Sequence, residues 1–433
     1  MGTDTLFLAE LARRQLDGTF KSLPIPSGVT ISAGAVGEQS WNVRSGDLDF
    51  PVMVLKESAL ATNIGVMADY CRDHGLLHAP HGKTTMAPQL FARQFEAGAW
   101  GITAASPAQC RAYRVFGVSR ILLANELVDH ESLRWVAAEL AADSGFDLLC
   151  NVDSAAGVDA IEEVFSTVGA RRPLGVLLEL GYRGGRTGSR TIEDAIGLAE
   201  RVVASRWLEL RGVTGFEGLM PGRDIDDVMT KCTVYLRQIR ELVEVLDSRG
   251  LLPAGEIVVS CGGSSYFDLV TSELGPARFT RPVLTVLRSG CYIAHDVTMY
   301  EESSPFGARA ADSAGPRLEP ALELWATVWS RPEPDLAIVG FGKRDAPYDY
   351  ELPVAESVYP HGQDVARSVV GAYQVTALND QHAFVTVPTG DPLAVGDRVV
   401  FGVSHPCTAF DKWRYLPLVD ERYNVVDGVF TFF

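Results

Sequence analysis

The sequence predicts an α/β chain: a (β/α)8 TIM barrel followed by a C-terminal β-domain. Three observations lead there. Eight strand-like apolar runs alternate with helix-like segments through the central part of the 433 residues. After about residue 300 the pattern changes to short strand-like runs cut by Gly, Pro and Asp. The Gly-x-Gly-x-x-Gly fingerprint that would favour a doubly wound nucleotide-binding sheet is absent.

Residues 1–50 read as a helical arm and an approach to the β-domain. Leu6, Leu8, Leu11 and Leu16 fall on one face of a short helix, and Glu10, Arg13 and Arg14 among them exclude a signal-peptide core. The barrel is expected over 51–300. Its first apolar run, 51–55, is also placed to join the β-domain, which would then be assembled from both ends of the chain. The eight barrel strands are expected at 76–79, 100–104, 121–124, 147–151, 174–180, 211–216, 256–260 and 283–288. Helices between them have visible starts at Pro88, Ser106-Pro107, Asp153-Ser154 and Asp224. A Pro/Gly/Ser/Ala-rich stretch at 305–320 reads as a connector. The β-domain follows over 301–433, with strands expected at 322–329, 335–340, 371–376, 382–387 and 398–403.

Composition narrows the function classes. The formal charge of −17 and the lack of any Lys/Arg run argue against nucleic acid and anionic lipid as partners. No apolar run reaches the length of a membrane span. The seven cysteines, at 71, 110, 150, 232, 261, 291 and 407, are odd in number and scattered, which suits reduced thiols in a cytoplasm, six of them as packing residues.

The chemistry-bearing residues sit where a barrel keeps its active site, on the loops after the strands. Lys83, in Pro80-His81-Gly82-Lys83-Thr84, follows the first strand and offers an amine for a Schiff base. Glycine-rich loops follow the seventh strand, at Gly262-Gly263-Ser264-Ser265, and the eighth, at Gly290-Cys291-Tyr292. Loops at these two places close round phosphate through bare amides and hydroxyls. An aldehyde cofactor that bears a phosphate fits both facts. His405-Pro406-Cys407 supplies an imidazole and a thiolate, a donor pair that suits zinc. His81 beside a strand end is either a cofactor neighbour or a hydrogen-bonded structural group. His382, in Asp380-Gln381-His382, is a surface residue, a support for a ligand, or an acid/base.

These motifs together, with Asp296 and Gly396-Asp397-Arg398, resemble the pyridoxal-phosphate enzymes of the D-serine dehydratase and D-threonine aldolase group, relatives of alanine racemase. The resemblance implies a barrel of alanine racemase type, with Lys83 carrying pyridoxal 5'-phosphate. It implies Arg186 near the cofactor ring, with Arg183 competing for that place, and Gly263, Ser264, Ser265, Gly290, Cys291 and Tyr292 around the phosphate. His405 and Cys407 would bind zinc or another divalent metal beside the β-hydroxyl of a D-amino acid. Phe216-Glu217-Gly218 stands where such enzymes often have tyrosine, and Glu179 where they often have aspartate. The implied activity is D-serine dehydration to a 2-oxo acid and ammonia, because Cys407 resembles the dehydratase branch. D-Threonine aldol cleavage, racemisation and a non-catalytic cofactor carrier are the alternatives in that order, and a homodimer is the implied assembly.

Overall fold

The computed structural model describes residues 5–310 and 315–433. The chain divides into two compact units: a barrel unit of Met67–Lys83 and Gln94–Gly290, and a β-unit of the described part of Asp4–Val66 with Thr84–Arg93 and Cys291–Phe433.

In the barrel unit, eight strands form one wholly parallel sheet: Leu77–His78, Ile102–Ala104, Arg120–Glu126, Asp147–Val152, Leu174–Glu179, Leu208–Thr214, Ile257–Ser260 and Val283–Leu287. Each overlaps a run expected from the sequence. The first strand pairs with the eighth through Leu77↔Val286 and His78↔Leu287. Its link to the second is thinner, a single bridge between His81 and Thr103 with flanking bonds from Trp100 N to His78 O and from Thr103 N to Pro80 O. Inside, Ala79, Leu122, Leu149, Leu177, Val258 and Val286 pack into one buried cluster, so the barrel interior is a core and not a pore.

Capping explains the helix starts. Ser106, Ser154 and Asp224 each accept a backbone N–H three residues on, opening Pro107–Val115, Ala155–Val168 and Ile225–Ser248. Asp129 and Thr191 do the same for His130–Ala142 and Ile192–Val203. Each such cap is worth about 1 kcal/mol.

The β-unit is built on a ten-stranded sheet. Val52–Lys56 pairs antiparallel with Leu322–Glu333 and parallel with Tyr415–Val419, so both ends of the chain enter one sheet. The N-terminal arm covers it: Leu11, Phe20, Leu23, Val36 and Val43 are buried in a cluster with Trp325, Tyr415 and Phe430. The arm's helix is shorter than its leucine pattern predicts. It ends at Arg13, and Leu16 lies instead in a two-residue strand paired with Ile31, which turns its side chain fully into that cluster.

Strands at Val354–Tyr359, Arg367–Ser368, Tyr415–Val419 and Val425–Phe430 were not expected. Pro417 weakens any strand reading of the third, yet the structure keeps it there opposite Gly428. The run expected at 371–376 starts later, at Gln374–Leu378, because Gly371 takes a φ of +74° in the preceding turn. Of the expected connector at 305–320, residues 311–314 lie outside the described residues. Among the described residues no helix is long and apolar enough to cross a membrane.

Candidate active site

Lys83 lies in a short 3-10 turn, Gly82–Thr84, directly after the first barrel strand and the His81 bridge. No carboxylate pairs with it among the described residues. Its neighbour His81 is held neutral, well below the usual imidazole range, by burial and by the positive charges of Lys83, Arg288 and Arg186. The His81 Nδ1 is buried without a partner. Three cations thus bear on one imidazole beside the Lys83 turn, positive charge that suits an anionic ligand.

The two arginines differ. Arg288, at the end of the eighth strand, is buried and donates to Thr214 Oγ1 at 2.7 Å and to Gly215 O at 2.5 Å. Arg186 is exposed, its guanidinium 4.7 Å from the Phe216 ring centroid, in a cleft also lined by Glu179 and Tyr235. Arg183, also exposed, is not among the residues that line this cleft.

The glycine loop after the seventh strand is held by a buried carboxylate. Glu217 accepts the amides of Gly262 and Gly263 at 3.1 and 3.0 Å, and Gly263 O accepts the Ser289 hydroxyl at 2.6 Å. The Gly263 amide, expected from the sequence to face a phosphate, is therefore already engaged, and its part is to shape the loop. Ser264, next in the chain, is buried, as is Gly290 after Ser289, and Ser265 is partly exposed. The approach to Gly290 is anchored by His78, whose Nε2 lies 3.0 Å from Ser289 O.

Two further carboxylates face each other at the strand ends. Burial and Glu179 push the Glu126 carboxyl up, and each residue has a buried oxygen without a partner. The Glu126 carboxyl thereby keeps its proton to higher pH than a lone surface carboxylate does.

In the β-unit, Cys291, His405 and Cys407 bring their ligand atoms within 4.8 Å of one another. The two sulfurs are 3.2 Å apart. Thr84 Oγ1 lies 3.2 Å from Cys407 Sγ, and Asp349 Oδ2 takes the Nδ1 of His405 at 2.6 Å. The hydrogen bond to Cys407 and burial hold the Cys291 thiol up. The bond from Cys291 pulls Cys407 well below the thiol range against burial, helped by His405 and Thr84. His405 rises to about 8, since Cys407 and Asp349 outweigh burial. A soft, anionic donor set with a carboxylate behind its imidazole fits a zinc-like metal.

The expectation that six of the seven cysteines are packing residues is thus corrected. All seven are free thiols, but the Cys291 side chain turns to Cys407. The other expected residues divide. Tyr292 is fully buried in the turn Cys291–Ile293. His382 is exposed, its ring 5.4 Å from Trp329 and edge-on to it, and it takes no place in the metal group. Arg288 and Glu126, in the barrel unit, and Asp349, beside His405 in the β-unit, were not singled out, and Glu217 was noted only as a departure from a frequent tyrosine. The charged residue closing an apolar eighth strand was the available signal for Arg288. Asp349 lies 56 residues before His405, beyond the reach of any spacing argument.

Comparison with known proteins places the chain. A family described as "Putative serine dehydratase domain" matches residues 321–419. The 3-hydroxy-D-aspartate aldolase of Paracoccus denitrificans is 26% identical over 377 residues, covering 85% of this chain and 88% of that one. The D-threo-3-hydroxyaspartate dehydratase of Delftia sp. is 26% identical over 372 residues, covering 83% and 91%. Among solved structures, the D-threonine aldolase of Filomicrobium marinum superposes with a TM-score of 0.73 at 21% identity, covering 89% of this chain and 95% of that one.

Proposed function

We infer that this chain is one of the D-serine dehydratase and D-threonine aldolase-like proteins that share the alanine racemase fold, and propose from that premise that it is a pyridoxal-phosphate- and metal-dependent lyase of D-3-hydroxy amino acids. One observation carries the reading. Lys83 is peptide-bonded to Thr84, whose hydroxyl lies 3.2 Å from the thiolate of Cys407. The chain passes from barrel unit to β-unit at that bond, and again between Gly290 and Cys291. The lysine is thus adjacent in the chain to a residue that touches a metal donor.

Lys83 would hold the cofactor, Ser264, Ser265, Gly290 and Tyr292 would surround its phosphate, and His405 and Cys407 would hold a divalent metal, zinc by donor chemistry. When bound, pyridoxal phosphate acidifies the substrate Cα–H, and the metal polarises the β-hydroxyl as a Lewis acid. The Lys83 amine is the chain's base for the Cα proton. Neutral His81 adds no further positive charge beside that amine, and Glu217 keeps the glycine loop in shape. Asp349 fixes the His405 ring so that Nε2 is the free donor.

We favour dehydration, with D-serine as the first substrate, because Cys407 makes the donor pair a thiolate and imidazole. Loss of water leaves an enamine that takes up water to give the 2-oxo acid and ammonia. Hydroxyaspartate is a second substrate class, favoured by one observation: the exposed Arg186 guanidinium has no carboxylate partner among the described residues and is free to meet a second carboxylate. Seven free thiols suit a cytoplasmic location. A homodimer, which light scattering tests, completes the proposal.

The test is product analysis by NMR after the purified protein, loaded with pyridoxal phosphate and zinc, meets D-serine, D-threonine or D-threo-3-hydroxyaspartate. Dehydration gives pyruvate from D-serine and 2-oxobutanoate from D-threonine. Glycine with an aldehyde would replace dehydratase by aldolase, and unchanged substrates throughout would overturn the lyase reading.

A further inference from the structure

We infer that Cys291 is a third protein ligand of the metal, making the centre a two-thiolate, one-imidazole site with a single position open to substrate. The inference rests on the metal reading of His405 and Cys407 and extends it to a residue that the sequence assigned to the phosphate loop.

A packing cysteine is surrounded by apolar atoms, and Cys291 is not. Its sulfur is 3.2 Å from Cys407 Sγ and 4.0 Å from Thr84 Oγ1, and the Tyr300 hydroxyl hydrogen-bonds to it. Nearby, Asp296 spends Oδ1 on the amides of Thr298, Tyr300 and Glu301 and leaves Oδ2 buried without a partner. The 3-10 turn Cys291–Ile293 gives the side chain this direction, while Gly290, one residue earlier, stays in the barrel unit. The loop therefore divides its work. The residue on one side of the Gly290–Cys291 bond belongs to the barrel loop, and the sulfur on the other side would serve the metal.

The dimensions agree. Two thiolates on a tetrahedral zinc, each about 2.3 Å from the ion, stand about 3.8 Å apart. The present separation of 3.2 Å needs only a small opening, within reach of side-chain rotation. With His405 Nε2 as the third donor, a four-coordinate ion keeps one vacancy. That vacancy would admit the β-hydroxyl, and recognition of a second carboxylate would fall to cationic side chains. Two thiolates also neutralise the ion's charge and select zinc over magnesium or manganese, which prefer oxygen donors.

X-ray absorption at the zinc edge of the intact holoprotein counts the sulfur neighbours without any substitution, and two are expected. In cobalt-loaded protein, Cys291→Ser and Cys407→Ser should each remove about half of the sulfur-to-cobalt charge-transfer absorbance. Each should also weaken zinc binding by about tenfold or more in chelator competition. Cofactor content should stay at the wild-type level in Cys291→Ser. One sulfur in the wild-type spectrum, or a Cys291→Ser protein with the full cobalt band, overturns the inference. Loss of cofactor with metal retained would return Cys291 to the phosphate loop. Failure of the wild-type protein to bind zinc or cobalt at all would overturn the metal reading itself.

Discussion

Asp349 Oδ2 stands 2.6 Å from Nδ1 of His405, and Asp349 Oδ1 accepts the Thr408 hydroxyl at 2.7 Å. The carboxylate is itself oriented by a neighbour, so it fixes both the tautomer and the direction of the imidazole it holds. Asp349→Ala should lower zinc affinity between about 10- and 100-fold in chelator competition while leaving cofactor content unchanged. An unaltered zinc affinity would mean that the ring does not depend on this bond.

Lys83 directly follows the barrel's first strand and the His81 bridge. Lys83→Ala should abolish the absorbance of lysine-bound cofactor and lower turnover by on the order of 10³-fold or more. A variant that keeps that absorbance would place the cofactor elsewhere.

Glu217 satisfies two backbone amides at once, and its removal strands both in a buried setting. Glu217→Ala should destabilise the protein by about 2–4 kcal/mol in denaturant titration and weaken cofactor binding more than zinc binding. A midpoint equal to wild type would show that water or a rearranged loop replaces the carboxylate.

His78 sets an acid limit on stability. Burial lowers its pKa to about 4, although its bond to Ser289 O opposes this. In the unfolded chain the imidazole protonates near pH 6.5. Stability is therefore full above that value and is lost as pH falls from about 6.5 to about 4, by roughly 3 kcal/mol. His78→Gln, which retains a donor and does not titrate, should flatten this limb of a pH-dependent melting series. A wild-type slope in the variant would assign the acid loss to other groups.

Periodicity carried the barrel because each of its strands is a local run of apolar residues, and Ser106, Ser154 and Asp224 announce the helices that follow. It carried less of the β-unit. Tyr415–Val419 is disguised by Pro417, and Leu16 leaves the helix its spacing suggests because pairing with Ile31 buries it better. For the candidate site, residue type and loop position single out Lys83, His405 and Cys407, and the structure brings the last two together. Cys291 was visible only as part of a glycine-rich loop, since its partner lies 116 residues away. Glu217 stood out as an odd residue, but nothing in the sequence shows that its carboxylate turns to the amides of Gly262 and Gly263.

The bridge between His81 and Thr103 is the narrowest join in the barrel. A cylinder of hydrogen bonds yields first at its seam, and here the seam runs two residues from the amine that would hold the cofactor. Loading that amine should stitch the seam. In a deuterium-exchange time course, the amides of Trp100 and Thr103, which bond across it to His78 and Pro80, would become the slowest-labelling reporters of occupancy, ahead of any bulk change in melting temperature.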